Sequence, residues 1–261
     1  MLRAVHTAAT GMEAMQTNVD NVANNLANVN TTSYKKSVAE FQDLYYQTVR
    51  APGSQVSADT NLPTGVQVGV GVKTASVHKD FTIGNAKSTG NKFDLMIQGD
   101  GFFSVQRENG EVVYTRDGSF KVDASGRMMT SGGNLLQPPI TIPPGMADVI
   151  VAPNGTVTVR DGVGKESQVG QIEVVNFTNP SGLTSIGSNQ FQVSESSGAP
   201  VQGQPGSGAF GSILQGSLEA SNVNIVNEMV NLIQAQRAYE MNSKVMSAAD
   251  QMLQVSTNVI K

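Results

Sequence analysis

Apolar residues recur at alternating steps of three and four along both ends of this chain. That period admits little except helices packed lengthwise on other helices. The N-terminal series is Val5, Ala8, Met12, Met15, Val19, Val22, Leu26 and Val29. The C-terminal series is Val223, Val226, Val230 and Ile233, then, after a shift in phase, Ala238, Met241, Val245, Ala248, Met252, Val255 and Val259. Ser221 or Asn222 is expected to cap the second helix, because a short polar oxygen satisfies first-turn amides that lack a helical partner.

Between the two seams the period falls to two, as in Val66-Gln67-Val68-Gly69-Val70-Gly71-Val72 and Thr156-Val157-Thr158-Val159, and turn residues follow at short intervals. Asn154-Gly155 and Asp161-Gly162 read as turns, Pro138-Pro139 and Pro143-Pro144-Gly145 as strand breakers, and residues 196–211 as a Gly/Pro/Ser-rich loop. No fixed-period repeat is present. The expected fold is therefore α+β, with a mostly antiparallel β insertion between terminal helices. Residues 1–34 and 222–261 together form a helical coiled-coil unit, 35–80 an extended connecting segment, and 81–221 a β-rich domain.

A chain of 261 residues can bury a real core. Its 39% hydrophobic and 15% charged residues exclude a disordered polyelectrolyte, while 5% aromatics and the lack of Trp imply a thin core. A net charge of -4 without a Lys/Arg-rich run argues against a nucleic-acid partner. No apolar run is long enough to cross a bilayer, and the first seven residues lack the apolar core of a secretory signal. No membrane insertion is expected, and export by a dedicated route stays open. Without Cys there are no disulfides or thiolate ligands.

Candidate chemistry is sparse. The histidines are His6, on the first helix, and His78, in the β region, and both read as solvated. Residues 65–74 carry glycines and Lys73, but Val72 separates Gly71 from Lys73 and no helix pattern follows, so a glycine-bearing strand fits better than a phosphate loop. Asp117-Gly118-Ser119 and Asp123-Ala124-Ser125-Gly126 lack the alternating ligand ladder of a calcium loop and read as hairpin turns. No serine sits in a nucleophile elbow. No catalytic, cofactor or metal site is expected. The Met residues of the seam (Met12, Met15, Met241, Met252) fit a helix interface packed on copies of itself. Asn18, Asn21, Asn25 and Asn28 form a polar stripe beside that seam. Each Asn costs about half a kcal/mol of helix propensity relative to Ala, so the stripe is expected to hydrogen-bond neighbouring helices or line a hydrated channel.

The run Ala23-Asn24-Asn25-Leu26-Ala27-Asn28-Val29-Asn30-Thr31-Thr32-Ser33-Tyr34-Lys35 resembles the N-terminal signature of the flagellar rod and hook family, with Ser33 where that family commonly has glycine. The resemblance continues through Gly99-Asp100-Gly101-Phe102-Phe103 and Tyr114-Thr115-Arg116-Asp117-Gly118-Ser119-Phe120. It resumes at Gly216-Ser217-Leu218-Glu219-Ala220-Ser221-Asn222-Val223-Asn224 and Gln236-Arg237-Ala238-Tyr239-Glu240, and so covers nearly the whole chain. Tyr46-Gln47-Thr48-Val49-Arg50-Ala51-Pro52-Gly53, followed by Leu62-Pro63-Thr64-Gly65, is similar to the segment that marks the distal-rod branch.

The resemblance implies a non-enzymatic subunit of a helical tube in the flagellar basal body, with terminal helices around a central channel and a position spanning the periplasm. Its implied partners are itself, neighbouring rod and hook proteins, the surrounding ring bushings and the flagellar export apparatus. The expected assembly interface is Val5, Met12, Met15, Val19, Val22, Asn25, Leu26, Asn28, Val29, Val226, Val230, Ile233, Met241, Val245 and Met252. The alternatives are a proximal-rod or hook-type paralogue, or a secreted carbohydrate- or metal-binding β protein. Because each seam would expose apolar surface alone, the terminal helices are expected to order on assembly.

Overall fold

A computed structural model describes residues 2–53, 55–57, 60–61, 63–162 and 165–259. The chain divides into two units: one holds the residues up to Ala27, Ser37–His78 and the chain from Asn224 onward, the other Asn28–Lys36 and Lys79–Val223. The expected connecting segment is thus divided, with most of it clustering with the helices.

In the helical unit, α1 spans Leu2–Ala27 and α2 spans Ile225–Val259. The cap of α2 is Asn224, not Ser221 or Asn222: its Oδ1 accepts from the Val226 and Asn227 amides at 3.0 and 3.2 Å. Asn222 is occupied elsewhere, accepting from the Lys36 amide at 2.8 Å and donating to the Asp80 carbonyl at 2.8 Å. The helices run antiparallel, because Asn25 meets Glu228 near one end while Gly11 abuts Asn242 further along. Ser37–Asp43 pairs with Val72–Lys79. From this base Tyr46–Arg50 pairs antiparallel with Val66–Gly69, and Gln55–Ser57 with Thr60–Asn61, making a two-stranded ribbon.

The other unit is β-rich and antiparallel. Its largest sheet has nine strands among the described residues. Phe102–Gln106 is central, paired with Val112–Thr115 on one side and with both Leu135–Gln137 and Val174–Asn176 on the other. Met146–Val151, Thr156–Asp161 and Glu166–Gln171 form a second, three-stranded sheet. The period-two alternation of Thr156-Val157-Thr158-Val159 has its expected result, with both valines buried in the core beside Phe103, Val105, Leu136 and Ile172. A second cluster stacks Phe102, Tyr114, Phe177 and Phe191, with Tyr114 and Phe177 edge to face at 4.9 Å. Asp123–Gly126 is the expected hairpin turn, closed by the Gly126 amide to the Asp123 carbonyl at 2.8 Å. The presumed loop 196–211 holds a strand, Val201–Gly203, which pairs with Val174–Asn176. A backbone ladder needs only matched edges, which composition does not reveal.

Candidate assembly interface

The two helices meet through small residues. Ala8 and Ala14 of α1 and Ala235 and Ala249 of α2 are buried, and a Cβ on Gly11 would come within 2.8 Å of the Asn242 side chain. The buried and half-buried positions of α2 are Glu228, Leu232, Ala235, Ala238, Asn242, Met246, Ala249 and Leu253. With 3.6 residues per turn, these lie on roughly the opposite side of α2 from most of its predicted seam. Val226 is 69% exposed and Met241 59%, and Val230, Ile233, Val245 and Met252 are exposed with them. The predicted C-terminal seam is therefore not the face that meets α1. Small residues won that place because they let two backbones approach closely.

On α1 the predicted residues lie closer to its packed face. Val22 is buried, and Val5, Met12, Met15, Val19 and Leu26 are half-buried. A groove of about 380 Å³ runs between Gln16 and Val19 of α1 and Gln236, Tyr239 and Glu240 of α2. Asn28 and Val29 fall beyond the end of α1, in the turn that opens the β-rich unit.

Asn21, Asn25 and Asn28 of the asparagine stripe find partners within the chain, where the expectation was neighbouring helices or a channel. Asn25 Nδ2 donates to the Ser37 carbonyl at 2.9 Å and its Oδ1 accepts from the Ser37 amide at 2.8 Å, while Asn21 Nδ2 donates to the same carbonyl at 2.9 Å. Asn25 is also in reach of Glu228 Oε2 at 3.4 Å. Asn21 and Asn25 fasten the first strand to α1. The Asn28 carboxamide accepts from Thr31 Oγ1 at 3.1 Å.

The ribbon holds the residues that carried the distal-rod resemblance. Tyr46 pairs with Gly69 and Arg50 with Val66. Gly65 sits against the opposite arm, where a Cβ would lie 2.7 Å from the Arg50 carbonyl and from Pro52 Cδ. Gly53 has φ +78°, Pro63 is exposed, and Leu62 lies outside the described residues. At its base the ribbon is held to α1: a Cβ on Gly71 would clash with Thr10 Oγ1, and His6 Nδ1 lies 3.2 Å from the Val70 carbonyl. His6 is thus a contact to the ribbon and not only a solvated side chain. Tyr46–Arg50 is exposed throughout, and Tyr45 beside it is 94% exposed.

Sequence reasoning missed a buried ion cluster in the β-rich unit. Glu219 Oε1 accepts from Lys35 Nζ at 2.6 Å, and its Oε2 from Arg116 Nε at 3.0 Å, with all three side chains at most 1% exposed. Arg116 also donates to the Gly99 carbonyl at 2.8 Å, Lys35 to the Thr82 carbonyl at 2.6 Å, and the Gly84 amide to Glu219 Oε1 at 2.8 Å. Burial, then the neighbouring Arg116 guanidinium, hold the Lys35 ammonium below the usual lysine range, against the pull of Glu219. Three of the signature runs thereby meet at one carboxylate. Only Glu219 offered a signal, a lone charge between Leu218 and Ala220, since Arg116 stands beside Asp117 and Lys35 beside Lys36. Ser33 stands beside this cluster with φ +56°, in the left-handed region where glycine is at home. Its amide donates to the Glu219 carbonyl and its Oγ to the Arg116 carbonyl, both at 2.8 Å.

Three family descriptions match the chain: "Flagella basal body rod protein" at residues 6–35, "Flagellar hook protein FlgE/F/G D1 domain" at 96–159, and "Flagellar basal body rod FlgEFG protein C-terminal" at 214–259. The chain is 48% identical over 260 residues to the flagellar basal-body rod protein FlgG of Caulobacter vibrioides, covering 99% of each. It is 46% identical to the protein of that name from Buchnera aphidicola, covering 97% of this chain and 98% of the relative. Against that of Bacillus subtilis the figure is 37%, with 99% of each covered. The chain belongs to the flagellar basal-body rod protein family, whose members are structural parts of the basal body and not enzymes.

Proposed function

We propose that this chain polymerises into the hollow distal rod and transmits torque from the motor to the hook. The observation that carries this reading is the outer face of α2, where Val226, Met229, Val230, Ile233, Met241, Val245, Met252 and Val255 are exposed together. A monomer seldom shows water so long an apolar stripe. Copies of the same helices cover it by coiled-coil packing, with the half-buried Val5, Met12, Met15, Val19 and Leu26 supplying the other wall. The tube surrounds a central channel and spans the periplasm within ring bushings, reached through the flagellar export apparatus and joined to neighbouring rod and hook proteins. Electron microscopy of the purified protein tests this: hollow rods are expected, and a strictly monodisperse monomer at high concentration overturns it.

The distal position, as against a proximal-rod paralogue, rests on the ribbon. An isolated two-stranded hairpin is marginal in water, and ordering each of its residues costs about 1–2 kcal/mol. A neighbouring subunit supplies the missing contacts, so the ribbon braces adjacent copies and stiffens the shaft.

A further inference from the structure

In the helical unit a pocket of about 510 Å³ opens between α1, α2 and the ribbon, and its lining includes Arg3, Ala4, Thr7, Ala8, Val68 and Val245. The two alanines leave the space, and the valines give it apolar surface. Arg3 brings a positive charge, yet no carboxylate lines the pocket, and Arg3 pairs with none among the described residues. The same unit carries a feature of the opposite kind at the base of the ribbon. Tyr45 is 94% exposed, the highest value among the large apolar side chains described. Tyr46, by contrast, has its ring against Gly69, and Tyr239 belongs to the groove beside Gln16. Two residues before Tyr45, the exposed Asp43 carboxylate makes no hydrogen bond or ion pair among the described residues.

We propose that the corner holding Asp43 and Tyr45 docks in this pocket of a second copy, with the Tyr45 ring among the alanines and valines and the Asp43 carboxylate against Arg3. The inference rests on the self-assembly argued above and names the contact through which the base of the ribbon reaches its neighbour. Size and charge select this occupant. A valine or methionine of the α2 stripe fills less of the space and brings no charge to Arg3. A lysine or arginine is repelled by the guanidinium. Tyr45 brings a large ring whose electron-rich face suits a cation, and a hydroxyl that Thr7 can meet. Asp43 brings the missing negative charge, and opposite charges facing across an interface fix its register. The exposure of Tyr45 means that its own chain does not hold it in the pocket. Corner and pocket are different surfaces, so each copy gives one and receives the other, and the contact extends a polymer instead of closing a symmetric dimer.

The test reads the critical concentration of rod assembly in the full chain, with thermal unfolding of the monomer as the control for folding. Tyr45→Ala is expected to raise that concentration about tenfold or more, as when a central aromatic anchor is lost, and to leave monomer unfolding unchanged. Asp43→Arg and Arg3→Asp are each expected to raise it about tenfold by setting like charges together. The double variant restores the pair with its signs exchanged and is expected to return to within about twofold of wild type. Because the chain has no Cys, Tyr45→Cys and Ala4→Cys place single thiols at corner and pocket. Rods grown from a mixture of these two variants are expected to give, with a short bis-maleimide, a linked dimer of one of each. Rods of Tyr45→Ala at wild-type concentration, a double variant that is not rescued, or the lack of a mixed dimer overturns this inference alone. A link within one chain, in monomer carrying both cysteines, overturns it too. Wild-type protein that forms no rods overturns the self-assembly reading as well.

Discussion

Asn25 of α1 lies 3.4 Å from the Glu228 carboxylate of α2, and both side chains are buried. The same carboxamide closes both hydrogen bonds to Ser37, so one residue ties two helices and a strand. Asn25→Ala is expected to destabilise the helical unit by about 1–3 kcal/mol, because the Ser37 amide and the Glu228 carboxylate are left without it. Urea titration of assembled protein, followed by helical ellipticity, checks this. Hydrogen exchange in Phe102–Gln106 is expected to stay unchanged.

Removing Glu219 leaves two buried cations facing each other. Glu219→Ala is expected to cost the β-rich unit about 3–5 kcal/mol, as when one partner of a buried ion pair is lost. Calorimetry reads this as a lowered Tm. The cluster also sets a pH dependence. The folded Lys35 pKa lies below the ordinary lysine value of 10.5, so the unfolded chain binds more protons between the folded value and 10.5. Lys35's contribution to stability therefore rises with pH through that window. Lys35→Met is expected to flatten the slope of the urea midpoint against pH there.

Ser33 holds a left-handed backbone that costs a non-glycine residue about 1–2 kcal/mol, and its Oγ bond to the Arg116 carbonyl offsets that cost. Ser33→Ala keeps the strain and loses the bond, a loss of about 1 kcal/mol. Ser33→Gly loses the bond but relieves the strain. The glycine variant is expected to unfold at a higher temperature than the alanine variant, and the reverse order would contradict this account.

Gly65→Ala drives a Cβ into the Arg50 carbonyl and Pro52. The ribbon is expected to splay while the β-rich unit keeps its Tm. Rods of this variant, or of a chain lacking residues 46–65, are expected to bend more in micrographs; unchanged straightness would count against the bracing role.

Ile233→Asp and Met241→Asp place charges on the exposed face of α2, and Leu26→Asp places one on α1. All three are expected to abolish rod formation without shifting the unfolding of the β-rich unit. We also expect the helices of the isolated monomer to be labile, so that limited proteolysis trims roughly the first 30 and last 35 residues. Resistance of both ends in a verified monomer would refute ordering on assembly.

The three-and-four period determined that both ends are helical, and the alternation in Thr156–Val159 determined which side chains of that strand enter the core, because these periods belong to the backbone geometry itself. The signature runs also determined the family. Which face of α2 meets α1 was not legible. Periodicity favours the large residues Val226, Ile233 and Met241, whereas close helix approach buries Ala8, Ala14, Ala235 and Ala249 and sets Gly11 against Asn242. Nor could the sequence join Lys35, Arg116 and Glu219, which lie far apart along the chain. Their meeting depends on where the strands cross, and only tertiary structure makes a carboxylate the cheapest neighbour for two buried cations.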